Sequence, residues 1–177
     1  MPRYVGFLRA VNVGRRQTPM ARVRSALEAG GFTEVQTYIQ TGNVLVTSAV
    51  LSPERVAAQI QKVLTAEFGF DVPTIVRIPS DLPALVAAVH ALPDPFPGGR
   101  TYAAFLASEP DAESRALLDA WAAPGEWARV VGRHVVMRLG VPAHESTLTN
   151  AKIERYCGTA TTRDLTVVRA LADRWGG

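Results

Sequence analysis

The residues best suited to chemistry lie close to the N-terminus. Arg9, Asn12, Gly14, Arg15 and Arg16 run directly into the dipeptide Thr18-Pro19. Threonine is a good helix N-cap, and proline at the first helical position gives up an N–H that would have no partner there. A helix is therefore predicted to start after Thr18. The first N–H groups of such a helix lack internal acceptors, and its dipole places partial positive charge at that end. Gly14 allows close approach to the backbone, and the arginines add full charges. Together these make an anion cradle that suits a phosphate, a carboxylate or a nucleic-acid backbone. The stretch has neither the glycine-lysine-serine/threonine ending of a Walker loop nor the glycine spacing of a dinucleotide fingerprint. The plainer alternative is a strand-to-helix loop whose glycine serves a turn and whose arginines are solvated.

A second polar cluster comprises Tyr38, Gln40, Gly42 and Asn43. Residues 34–40, EVQTYIQ, alternate, with Val35, Thr37 and Ile39 on one face and Gln36, Tyr38 and Gln40 on the other. If the first face packs under helices, Tyr38 and Gln40 look out from the sheet. An aromatic on an open sheet face can stack a nucleobase. The neighbouring strand NVLVTS brings no aromatic to extend that platform. Plainer roles are hairpin formation for Gly42-Asn43 and subdomain packing for Tyr38 and Gln40.

Other catalytic pieces are sparse. His90, His134 and His144 show no metal-ligand spacing, and only His144 has a carboxylate beside it, Glu145. Read as a strand, that pair would point to opposite faces. Cys157 reads as a small buried apolar residue. Glu109, Asp111 and Glu113 fit a helix N-terminus, and Trp121, Trp127 and Trp175 fit core or interface anchors. No metal site and no cofactor are expected.

The elements that must position these groups follow from apolar spacing. Residues 3–9 read as a strand, and Met20, Val23 and Leu27 as a helical stripe ended by Gly30-Gly31. Two strands flank a turn at Thr41-Gly42-Asn43. Ser52-Pro53 opens a helix with Val56, Ile60, Val63, Leu64 and Phe68 on one face, and residues 72–78 form a fourth strand. This βαββαβ order is that of a ferredoxin-like sandwich. A helix over 80–91 and the punctuating PDPFPGG at 93–99 divide the chain into subdomains at 1–92 and 98–177. The second half repeats the plan. A strand, TYAAFLAS, leads into a helix boxed by Ser108 and Asp111. A hairpin turns at Gly132-Arg133, Thr149 or Asn150 caps the next helix, and a brief strand near 158–161 precedes a final helix. The fold class is α+β, with a structural duplication.

Three stretches, LRAVNVGRRQTPM at 8–20, GFTEVQTYIQTGNVLV at 31–46 and TNAKIERYCGTATTRDLTVVRALA at 149–172, together resemble the bacterial DUF1697 family of unknown function. The resemblance implies two ferredoxin-like subdomains and no particular activity. Arg9, Asn12 and Gly14 match the family's first motif, whereas Ala10 and Arg15 replace two of its glycines. Arg163 matches the last motif, but Asp164 and Leu165 stand where the family has asparagine and tryptophan. The matching positions Arg9, Asn12, Gly14, Tyr38, Gln40, Gly42 and Asn43 are therefore the better site candidates.

Composition bounds what remains. The chain has 177 residues, is 47% hydrophobic and carries +3 with histidines neutral. This length supports a core without covalent staples. A single cysteine excludes an internal disulfide or a multi-cysteine zinc site. No apolar run approaches the roughly 20 residues of a membrane span, and the N-terminus lacks a signal peptide's apolar stretch. A soluble, cytoplasmic protein is expected. Residues 1–27 hold six arginines and no acid, an excess that attracts anions, though it falls short of a pervasive basic face. Three functions remain open. The leading one is a binding protein for a phosphate-bearing or other anionic ligand, nucleic acid included, through the Arg9–Arg16 loop. The others are an enzyme on a phosphorylated or carboxylated metabolite and a structural or protein-interaction module.

Overall fold

The pattern of a tyrosine, two small or branched residues, a phenylalanine and a leucine occurs twice, at Tyr4–Leu8 and at Tyr102–Leu106. Each copy founds a sheet. The computed structural model describes residues 1–12, 14 and 17–177. The first set of elements is β1 (Arg3–Leu8), α1 (Met20–Ala29), β2 (Thr33–Tyr38), β3 (Asn43–Thr47), α2 (Pro53–Phe68) and β4 (Thr74–Arg77), followed by α3 (Asp81–Ala91). The second set is β5 (Arg100–Leu106), α4 (Ala112–Asp119), β6 (Glu126–Val131), β7 (His134–Leu139), α5 (Asn150–Cys157) and β8 (Ala160–Asp164), closed by α6 (Leu165–Trp175). Two antiparallel sheets result, ordered β2-β3-β1-β4 and β6-β7-β5-β8. Both are ferredoxin-like. The chain forms two compact units: Met1–Asp81 with Trp175–Gly177, and Leu82–Arg174.

The duplication extends to the register. Phe7 lies opposite Asn43 and Ile75, and Phe105 opposite His134 and Thr161. Val5 lies opposite Arg77, and Ala103 opposite Arg163. The first strand of each unit also ends on matching backbone bonds. The Leu8 N–H donates to the Gly42 carbonyl and the Arg9 N–H to the Pro73 carbonyl, just as Leu106 donates to Arg133 and Ala107 to Thr159.

Period-2 alternation places Tyr4 and Leu8 of β1 beside Val44, Val46 and Val76, where they meet Met20, Val23 and Leu27 of α1 and Val56, Ile60 and Leu64 of α2. In the second unit Ala104, Leu106, Val135 and Met137 meet Leu118 of α4 and Ile153 of α5. Each large side chain so buried contributes about 1.5–3 kcal/mol. The opposite face of each sheet is buried as well, at Val5, Phe7, Leu45 and Ile75 in one and at Ala103, Phe105 and Val136 in the other.

Helix signals hold where a side chain reaches the first turn. Ser52 accepts from the Arg55 N–H and Thr149 from the Lys152 N–H. Three expectations need correction. α1 begins one residue late, at Met20, with Pro19 in the cap position and no side-chain cap, because Asn12 has taken both backbone groups of Thr18. α4 is capped by Asp111, which accepts from the Ser114 N–H, rather than boxed from Ser108. The last strand runs Ala160–Asp164 instead of stopping at residue 161. Among the described residues no helix is long and apolar enough to cross a membrane.

Candidate functional site

The loop that leaves β1 holds three left-handed residues among those described. Ala10, Asn12 and Gly14 have φ of 56°, 54° and 61°. Left-handed backbone suits glycine and is tolerated by asparagine, whereas Ala10 holds it at a cost of about 1–2 kcal/mol. Arg15 and Arg16 lie outside the described residues.

Asn12 fixes this loop. Its Nδ2 donates to the Gln40 carbonyl at 2.6 Å and to the Thr18 carbonyl at 3.2 Å, and its Oδ1 accepts from the Thr18 N–H at 2.8 Å. The carboxamide thus ties the loop to the β2–β3 turn and to the entrance of α1, making Asn12 a positioning residue. Gly42 supplies the other half of the fit. Its φ is +82°, and a Cβ there would stand 2.5 Å from Val11 Cγ2 and 2.9 Å from Leu8 Cβ. Asn43, fully buried, donates to the Tyr38 carbonyl and to Thr41 Oγ1, which closes the turn.

Between these pieces lies a concavity of about 550 Å3 lined by Asn12, Gly14, Gln17, Pro19, Met20, Ala21 and Gln40. The sequence cluster is therefore only partly assembled here. Asn12, Gly14 and Gln40 line the concavity; Arg9, half-buried at the end of β1, does not. Gln17 and the first α1 residues line it without having been singled out. The helix start was expected in the cradle with Thr18 as its cap; Pro19 in the cap position instead leaves the first-turn N–H groups of Met20 and Ala21 without a side-chain acceptor among the described residues. Arg22, whose positive charge is unfavourable in that first turn, is drawn to Glu67 at 2.6 Å and over the Phe68 ring at 5.0 Å. No described residue lining the concavity is charged, and none is histidine or cysteine.

The second cluster separates. β2 ends at Tyr38, so Ile39 and Gln40 belong to the turn and not to the strand faces the alternation gave them. Ile39 has φ +49° and is 42% exposed, outside the core. A bulge at Glu34, φ +50°, and the Asn43 bond to Tyr38 shift the turn forward. Tyr38 does lie on the face away from the helices, but Trp175 meets it edge-on with centroids 6.5 Å apart and donates to Gln36 Oε1. Tyr38 is thus packed against Trp175 on that face.

The other chemistry-bearing groups do not line the concavity. His134 is buried edge-on against Phe105, and His144 lies 3.6 Å from Glu145 on an exposed turn rather than a strand. Burial raises the Cys157 thiol above its ordinary range, helped by the nearby Asp111 charge. Burial also lowers the Arg163 guanidinium to about 10. Sequence reasoning passed over Glu126. Burial pushes its carboxyl up, but hydrogen bonds from Thr147, Trp121 and Ser146 outweigh that, and the net is below the ordinary range. Arg138 was also passed over; it donates to the carbonyls of Val89 and Leu92 and so caps the end of α3. No cluster of three or more metal-ligating side chains occurs among the described residues.

Comparison with known proteins supports the fold. The family described as "Protein of unknown function (DUF1697)" matches residues 1–135, a span that holds the β1–α1 loop and the β2–β3 turn and stops before the C-terminal motif. Among solved structures, the chain is similar to the conserved bacterial protein SP0830 from Streptococcus pneumoniae, at 19% identity over 100% of this chain and 99% of that one, with a TM-score of 0.77. No curated protein matches the chain.

Proposed function

The chain belongs to the DUF1697 family, whose activity is unassigned, and we propose from the site itself that it binds a phosphate-bearing or other anionic ligand at the β1–α1 loop. One observation carries the reading: the concavity of about 550 Å3 is bordered by the uncapped start of α1 and by Asn12 and Gly14 of the loop. The unpaired N–H groups and the dipole at a helix start favour negative charge. The surrounding segment, residues 1–27, supplies six arginines and no acid. Binding is favoured over catalysis because the described lining offers amides and apolar carbon but no acid–base pair. In this reading Asn12, Gly42 and Asn43 shape the site, while Gly14, Gln17, Gln40 and the first turn of α1 face the ligand, with Arg9, Arg15 and Arg16 as the charge source.

The test is titration calorimetry with nucleotides, sugar phosphates, small carboxylates and short RNA and DNA at two salt concentrations. Arg15→Ala should weaken binding roughly tenfold or more, the value of a charge-assisted contact; Arg9→Ala, outside the concavity, should weaken it less, and Arg55→Ala should leave it unchanged. Equal losses in all three variants would reduce the site to diffuse charge. A single gripped phosphate gives a shallow salt dependence, and a nucleic acid gives a steep one through counterion release. Failure of every ligand to bind would leave the interaction-module reading in its place.

A further inference from the structure

We infer that the α3–α6 face of the second unit is a self-association surface that pairs two copies of this chain about a two-fold axis. The observation begins with α3. From Leu82 to Ala91 its only polar side chain is His90. Leu82, Leu85 and Val89 are buried in the unit, as one apolar stripe should be. The other side of the helix is apolar too, yet Pro83, Ala84 and Ala87 are exposed. A helix apolar all round is ordinarily covered all round.

The second observation identifies the cover. α6 borders this face with Arg169 and Asp173, both exposed, and between the two helices lies a recess of about 250 Å3. Arg169 meets no carboxylate among the described residues; its Nη2 approaches His90 Nε2 at 2.7 Å. Asp173 has no ion pair among the described residues. A base four residues ahead of an acid is the weaker order for pairing along one helix. One turn apart on the rim of an apolar face, these two charges are self-complementary. When two α6 helices meet antiparallel, Arg169 faces Asp173 of the partner subunit, and the two-fold axis repeats the pair. The exposed α3 side chains then cover one another between the two ion pairs. Two short helices make a face at the low end of interface sizes, so the dimer is a weak one.

Sedimentation equilibrium of the full chain from about 10 μM to about 1 mM tests this, covering dissociation constants in the micromolar to submillimolar range. A monomer–dimer equilibrium is expected within that window. Ala87→Glu, on the exposed side where folding is unaffected, should raise the dissociation constant at least about tenfold. Arg169→Asp alone and Asp173→Arg alone should each weaken the dimer by a similar factor, and the double exchange should restore it. A monomer at every concentration overturns the inference. So does a dimer indifferent to Ala87→Glu, or a double exchange no better than either single change.

Discussion

The two units share strands, register and even the backbone bonds that end their first strands, yet they differ where those strands hand over to a helix. In the first unit the connection runs from Arg9 to Pro19, holds Ala10, Asn12 and Gly14 with positive φ and borders a concavity. In the second, Ala107 to Asp111 covers the same step with Glu109 and Asp111, and the Asp111 carboxylate caps the helix directly. Where the first unit has arginines and an uncapped helix start, the second has acids and a satisfied one. The candidate site is therefore a property of one connection and not of the repeated frame.

The largest test of that contrast is at the turn glycines. Gly42→Ala combines a left-handed φ with a Cβ that meets Val11 and Leu8, whereas Gly132→Ala has φ +53° but nothing within 4 Å. The first should cost roughly 2–5 kcal/mol, the second about 1 kcal/mol. Urea unfolding of both variants decides this; equal losses would mean that the loop is not wedged against its turn.

A middle-sized effect is expected at Glu126. Its depressed carboxyl contributes stability that is present above the unfolded carboxyl range and is lost as pH falls through the folded value. Glu126→Gln should cost on the order of 2 kcal/mol near neutral pH and flatten the acid limb of the stability profile. An unchanged acid limb would deny the Glu126 anchor in the second unit.

The smallest effect contrasts the two helix starts. Asp111→Ala removes a working cap and should lower the urea midpoint measurably. Thr18→Val should be neutral or stabilising by up to about 1 kcal/mol, because the buried Thr18 hydroxyl has no hydrogen-bond partner among the described residues. A loss on Thr18→Val as large as that of Asp111→Ala would show the hydroxyl to be a working cap.

These contrasts also show which features the sequence made legible. Alternation at Tyr4–Leu8 and stripes such as Val56, Ile60 and Leu64 announce themselves because burial repeats with the period of the element. Ser52 and Thr149 were readable as caps because their hydroxyls reach N–H groups three residues on. Thr18 was not, since its backbone is claimed by Asn12 six residues earlier, a contact no local pattern encodes. Ile39 misled for a related reason: the alternation continues through it, but the Asn43 bond to the Tyr38 carbonyl ends the strand first. Within the candidate site, Asn12 and Gly14 were visible as residue types. That Asn12 is consumed in holding the loop, leaving Gln17 and the start of α1 to form the wall, depends on bonds across 28 residues.

One consequence follows from the paired bonds that close both connections, Leu8 to Gly42 and Arg9 to Pro73 in one unit, Leu106 to Arg133 and Ala107 to Thr159 in the other. Because the ends are pinned by the frame, the length between them is almost thermodynamically free: doubling a closed loop costs only about 0.6 kcal/mol in closure entropy. That is less than a single net hydrogen bond, so three bonds from one asparagine more than offset the longer path. After a duplication, such a junction is where one copy can drift in length and composition while the other stays short, with the fold indifferent to which.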